Sequence, residues 1–256
     1  MSPARDAVYD EIGRTYTATR RPDPRVARQI LEALGDAGRV LNVGAGAGSY
    51  EPADGREVVA LEPSAVMRTQ RPPGSAPCVG GLAGALPFTD GTFDATLTVF
   101  SVHHWPDPRA GLDELRRVAP RNVIVTFDPA FHNRFWLVRD YLPEVAAVPA
   151  AVTLAPQEIL DHLGGGAVAA VPVAADCADG FFWAYWRRPE AYLDPSVRAG
   201  ISGLALLPDE LVAARMERLA ADLASGAWQE RNADLLARDE VDAGYRLIVA
   251  DAGVGR

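Results

Sequence analysis

Four short, almost wholly apolar runs in the first half of the chain constrain its fold more than any other feature. They are RVLNVG (39–44), EVVALEP (57–63), FDATLTVFS (93–101) and NVIVTFDP (122–129), each bounded by Gly, Pro, Asp or Asn. A run without polar alternation suits a strand covered on both faces, as in a parallel sheet. APCVGG (76–81) is a weaker fifth candidate, and helical patterns separate the runs over 24–34, 64–71 and 108–117. Strands and helices in alternation predict an α/β, Rossmann-like, doubly wound sheet.

The rhythm breaks after residue 129. Helical patterns over 133–145 and 156–162 precede GGG at 164–166, then a sixth strand over 167–177 and a seventh over 244–251. The stretch between those two strands opens on GFFWAYWRRPEAY (180–192) and continues with amphipathic helical patterns over 208–225 and near 229–238. Without an internal repeat or low-complexity linker, the 256 residues read as one domain. Residues 1–36 are expected to form a helical cover, and residues 178–243 an insertion serving as a lid.

Composition removes several classes of function. The formal charge is −9, the wrong sign for a nucleic-acid or anionic-membrane partner. There is no Lys, which reads as coding bias. The two cysteines, Cys78 and Cys177, form neither a metal-ligand nor a redox spacing, so no metal and a reducing, cytoplasmic setting are expected. No apolar run reaches membrane-spanning length, and the first residues lack an apolar signal core.

The first strand runs into VLNVGAGAGSY (40–50). Gly44, Gly46 and Gly48 follow a G-x-G-x-G period, not the G-x-G-x-x-G of a dinucleotide site. Glycines there let the chain turn tightly and let a ligand approach the backbone. Glu62, followed by Pro63, closes the second strand, where a carboxylate can accept bonds from both hydroxyls of a ribose.

With ALPFTDGTFDATLTVFSVHHW (85–105) added, the chain resembles the class I S-adenosylmethionine-dependent methyltransferases, in their small-molecule branch. The resemblance implies seven strands with the last antiparallel and S-adenosylmethionine as cofactor. It places Gly44, Gly46 and Gly48 under the methionine and ribose part, Glu62 on the ribose, and Leu82 and Ala83 by the adenine. The family usually has Asp or Glu where this chain has Asn42, so a somewhat weaker hold on the cofactor's amino end is expected. Tyr16 and Arg20 belong to a segment that folds over the cofactor in similar enzymes, with Arg20 near its carboxylate.

Methyl transfer needs a nucleophile held in line with the S–methyl bond, and a base only if the acceptor carries a proton. His103 and His104 are the base candidates, because open α/β sheets bind ligands at the carboxyl ends of their strands. Strand alternation would point only one of them at the methyl group, with His103 favoured. Asp128 and His132 are alternative acceptor-side groups. His132, Phe135, Trp136, Trp183 and Trp186 are expected to line a small-molecule acceptor pocket. The alternatives are another use of the sulfonium, such as cyclisation, a silent binder, or a nicotinamide-dependent oxidoreductase. The protein is expected to be a monomer or homodimer.

Overall fold

A computed structural model describes residues 20–147 and 153–251. Tyr16 and most of the N-terminal cover lie outside these residues. Helix α1 (Pro24–Leu34) starts where the Asp23 side chain accepts from the Arg25 amide and Pro24 occupies the first turn. It buries Val26, Ile30 and Leu34, spaced four apart on one face.

The first three strands are β1 (Arg39–Val43), β2 (Glu57–Leu61) and β3 (Cys78–Val79), with α2 (Ala65–Thr69) between the latter two. Next come β4 (Ala95–Val99), α3 (Pro108–Val118) and β5 (Arg121–Phe127). After α4 (Pro156–His162) and β6 (Ala167–Ala170), the short pair β7 (Val173–Ala174) and β8 (Glu240–Val241) bracket the inserted helices, and β9 (Tyr245–Asp251) ends the described sheet.

The seven-stranded sheet has the order β3-β2-β1-β4-β5-β9-β6. Only β9 runs antiparallel to its neighbours, as the expected fold requires. The strand order reverses between β1 and β4, the place where doubly wound sheets open a crevice. Asp94 fixes that junction by accepting from the Gly38 and Arg39 amides at 2.9 and 2.7 Å. Within the sheet, the buried Thr96 hydroxyl donates to Asn122 at 2.7 Å.

Each face of the sheet carries its own core. Leu41, Val43, Ile124 and Ile248 pack under Leu112, Leu115 and Ile159. Val40, Leu97, Val123 and Val125 pack against the other face with Trp136, Trp186 and Trp228. Burying one such aliphatic side chain contributes roughly 1.5–3 kcal/mol.

Two elements differ from the expectation. The helix expected over 133–145 is three short turns, Pro129–Arg134, Leu137–Tyr141 and Pro143–Ala147. Asp128 caps the first, and Pro143 has no amide with which to continue a ladder. The expected sixth strand divides at Pro172, which likewise cannot donate. Beyond it β7 leaves the main sheet and pairs with β8, Val173 opposite Val241.

Candidate active site

The first cavity opens at the crevice. Gly44 and Gly46 line it, with φ of 70° and 53°. The Gly44 and Ala45 amides donate to the Leu61 carbonyl at 2.8 and 3.1 Å, which lays the glycine turn across the end of β2. Glu62 lies under this turn and is 7% exposed. Its Oε2 accepts from the Gly46 amide at 2.8 Å, and its Oε1 from the Ser64 amide at 2.9 Å. Burial raises the Glu62 pKa, opposed by those two amides and by Arg68 and Arg71.

The glycines have separate reasons to be bare. A Cβ on Gly44 would stand 1.8 Å from Ser101 Oγ, so that glycine serves internal packing. A Cβ on Gly46 would meet only the flexible Met67 end at 3.3 Å. Gly48 does not line the cavity and backs onto Arg71 and Glu51. Asn42 does line it, and its Nδ2 donates to Glu51 Oε1 at 3.3 Å. Glu51 in turn pairs with Arg71, both nearly buried. The missing charge at position 42 thus sits beside a carboxylate that sequence reading did not single out, itself neutralised by an arginine.

Pro63, Leu82 and Ala83 complete the wall with Met67 and Trp105. A carboxylate can accept about four hydrogen bonds, so each Glu62 oxygen retains room for a hydroxyl. A bare turn, that carboxylate and an apolar wall fit a nucleoside. Arg20 also lines the cavity, and its Nε donates to Asp179 at 2.7 Å.

A second cavity, of about 320 Å³, adjoins the first. Arg20, Phe100 and His104 border both. Phe127, Phe181, Phe182, Trp183 and Tyr245 give the second cavity aromatic walls, with His103, Asp128 and His132 among them. His132 stacks on Phe182 at 5.3 Å, and burial lowers its pKa, leaving the imidazole neutral near pH 7. Phe135, Trp136 and Trp186 do not reach the wall and are at most 1% exposed. Trp136 Nε1 donates to the Trp186 carbonyl at 2.9 Å, and Trp186 Nε1 to that of Val173 at 3.1 Å. All three are core residues: each indole finds its polar partner inside the protein, and the Phe135 ring stacks on Trp183 at 4.3 Å.

The histidines also depart from expectation. β4 ends at Val99, and Val102–His104 form a short helical turn, so strand alternation does not apply to them. Their rings lie 3.9 Å apart. Both border the second cavity, and only His104 also reaches the first.

A profile described as a methyltransferase domain matches residues 41–127, which span the glycine turn, Glu62, the histidines and β5. The demethylmenaquinone methyltransferase of Renibacterium salmoninarum is 36% identical over 162 residues, covering 56% of this chain and 67% of that protein. The chain belongs to the S-adenosylmethionine-dependent methyltransferases.

A second relative of this methyltransferase, the demethylmenaquinone methyltransferase of Mycolicibacterium gilvum, is 32% identical, covering 57% of this chain and 70% of that protein. A crystal structure from Anabaena variabilis, described as a methyltransferase from an antibiotic biosynthesis pathway, superposes with a TM-score of 0.84. It is 32% identical, and the match covers 93% of this chain and 99% of that one. S-adenosylmethionine is therefore the methyl donor, and the oxidoreductase and non-methylating alternatives are set aside. Among the described residues no helix is long and apolar enough to cross a membrane.

Proposed function

We propose that this methyltransferase carries the methyl group to an apolar, ring-containing small molecule held in the second cavity. The carrying observation is the boundary of Arg20, Phe100 and His104 common to both cavities, which sets any occupant of one beside an occupant of the other. The relatives named for methylating demethylmenaquinone act on a molecule of this kind.

Bound S-adenosylmethionine supplies an electrophilic methyl group. In this reading Glu62 receives the ribose hydroxyls, Gly44 and Gly46 leave space along the backbone, and Leu82 and Ala83 flank the adenine. Arg20, fixed by Asp179, faces the carboxylate end. His104 takes the proton of an acceptor hydroxyl, and the neutral His132 imidazole orients the acceptor. The aromatic walls exclude water, which strengthens polar interactions inside and suppresses side reactions. Residues 178–243 act as the acceptor's cover within a single domain. Free thiols at Cys78 and Cys177 suit a cytoplasmic enzyme.

The test is transfer of labelled methyl from S-adenosylmethionine to a panel of naphthols, hydroquinones, aliphatic amines and polar acids. The reading predicts product with the aromatic hydroxyl compounds. Transfer confined to the amines or polar acids would refute it.

A further inference from the structure

Phe100 is the one non-glycine residue with left-handed backbone among the described residues, at φ 52°. Glycine adopts that conformation freely, whereas a bulky side chain is strained in it. Such residues persist only where their surroundings over-determine them, and they cluster at functional sites. Phe100 directly follows β4, and its amide donates to the Val125 carbonyl at 2.8 Å as β4 ends. Just beyond, Ser101 packs on Gly44 and the His103–His104 turn begins.

The ring's neighbours come from both cavities. On the donor side is the Tyr50 ring at 6.5 Å, and the guanidinium of Arg20, which borders both cavities, lies at 5.8 Å. On the other are Phe181 at 5.3 Å and Tyr245 at 5.4 Å. All four neighbours lie at least 50 residues from Phe100 in sequence, before β1, at the end of the glycine turn, on the insertion and on β9. We propose that Phe100 is a positioning residue whose ring is the apolar partition between the methyl donor and the acceptor, setting how closely and at which face the acceptor meets the methyl group. This rests on the reading of the second cavity as the acceptor site. Near-attack geometry requires reacting atoms roughly 3–3.5 Å apart, so a wall common to both ligands governs the rate. Arg20 and His104 are the polar parts of that wall, and Phe100 is the part that can bear on a ring without hydrogen bonding to it.

The test uses the full chain with two probes, S-adenosylhomocysteine by calorimetry and the fluorescent dye 8-anilinonaphthalene-1-sulfonate, whose aromatic rings seek apolar cavities. In the unmodified protein the two should bind together, each changing the other's affinity by less than about twofold. Phe100→Ala and Phe100→Gly should bind S-adenosylhomocysteine alone within about threefold of normal, yet S-adenosylhomocysteine should now weaken the dye at least about fivefold, since the dye reaches across the lost partition. Phe100→Tyr should restore independent binding. Phe100→Gly should also melt above Phe100→Ala, because only glycine relaxes the backbone.

Independent binding in the Ala and Gly variants would overturn the proposal, as would equal loss of both ligands in all three variants. Trp183→Ala separates the two levels of the argument. If it leaves dye affinity unchanged, the acceptor-cavity reading fails and the partition falls with it. If it weakens the dye while the Phe100 variants keep the ligands independent, only the partition fails.

Discussion

Arg20 and Asp179, 159 residues apart in sequence, form a buried ion pair with Nε 2.7 Å from Oδ1. Their side chains are 8% and 0% exposed. Asp179 also accepts from the Tyr50 hydroxyl at 2.8 Å and from the Gly180 amide at 2.7 Å. One carboxylate thus ties the insertion to the end of the glycine turn and to the arginine common to both cavities. Removing it takes one counter-charge from the buried Arg20 and the acceptor from the Tyr50 hydroxyl and the Gly180 amide. Asp179→Ala should lose about 3–5 kcal/mol of stability in urea unfolding. Tyr50→Phe, which deletes the bond to the charged Asp179 and the one accepted from the Asp23 amide at 3.2 Å, should lose about 1.5–3 kcal/mol. An Asp179→Ala loss below about 1 kcal/mol would show that the pair contributes no more than a surface salt bridge.

Gly44→Ala should destabilise through packing, whether or not ligand is present. The new methyl would collide with Ser101 Oγ, and the residue keeps φ 70°. The expected loss is about 1–3 kcal/mol of overpacking plus about 1 kcal/mol for the backbone. Ser101→Gly also removes the acceptor of Trp105 Nε1 at 3.0 Å, so the recovery is read in a double-mutant cycle, in which Gly44→Ala should cost less by the first part in the Ser101→Gly background. An equal cost of Gly44→Ala in both backgrounds, by thermal melting, would contradict the packing role.

The strands were legible because buried strands need continuous apolar runs: β1, β2 and β4 lie inside the runs that mark them, and β5 starts one residue before its own. The glycine turn and Glu62 were legible because their chemistry is local. The Arg20–Asp179 pair was not, since no local pattern announces a contact across 159 residues. The histidine geometry failed for a particular reason. Phe100 turns the chain out of β4, and no residue type signals that turn, because glycine is its usual mark and phenylalanine occupies it. The aromatics could not be sorted by sequence either. Trp183 and Trp186 lie in one cluster, yet one borders the cavity and the other anchors the core.

Those two tryptophans should therefore behave differently. Trp186→Ala should lose about 3–5 kcal/mol in unfolding. Trp183→Ala should weaken aromatic acceptors about tenfold or more, while S-adenosylhomocysteine affinity by calorimetry stays within about twofold. Equal effects of the two substitutions on acceptor binding would contradict the assignment.

In the proposed reading the base is His104, which borders both cavities. His104→Ala should lower turnover of a hydroxyl acceptor roughly 10²–10⁴-fold, and His103→Ala far less. Full turnover of a hydroxyl acceptor by both variants would leave catalysis to placement alone.

Whether the donor's ribose rests on Glu62 is decided by calorimetric titration with S-adenosylhomocysteine. Burial raises the Glu62 pKa, so its neutral form favours the free fold, and that contribution fades as pH rises through the raised value. Ribose hydroxyls donate to the charged form, so ligand affinity should climb over the same interval. The account predicts that Glu62→Ala stays folded by circular dichroism, binds at least about tenfold more weakly at neutral pH, and loses this pH dependence. Unchanged affinity and an unchanged pH profile in Glu62→Ala would contradict it.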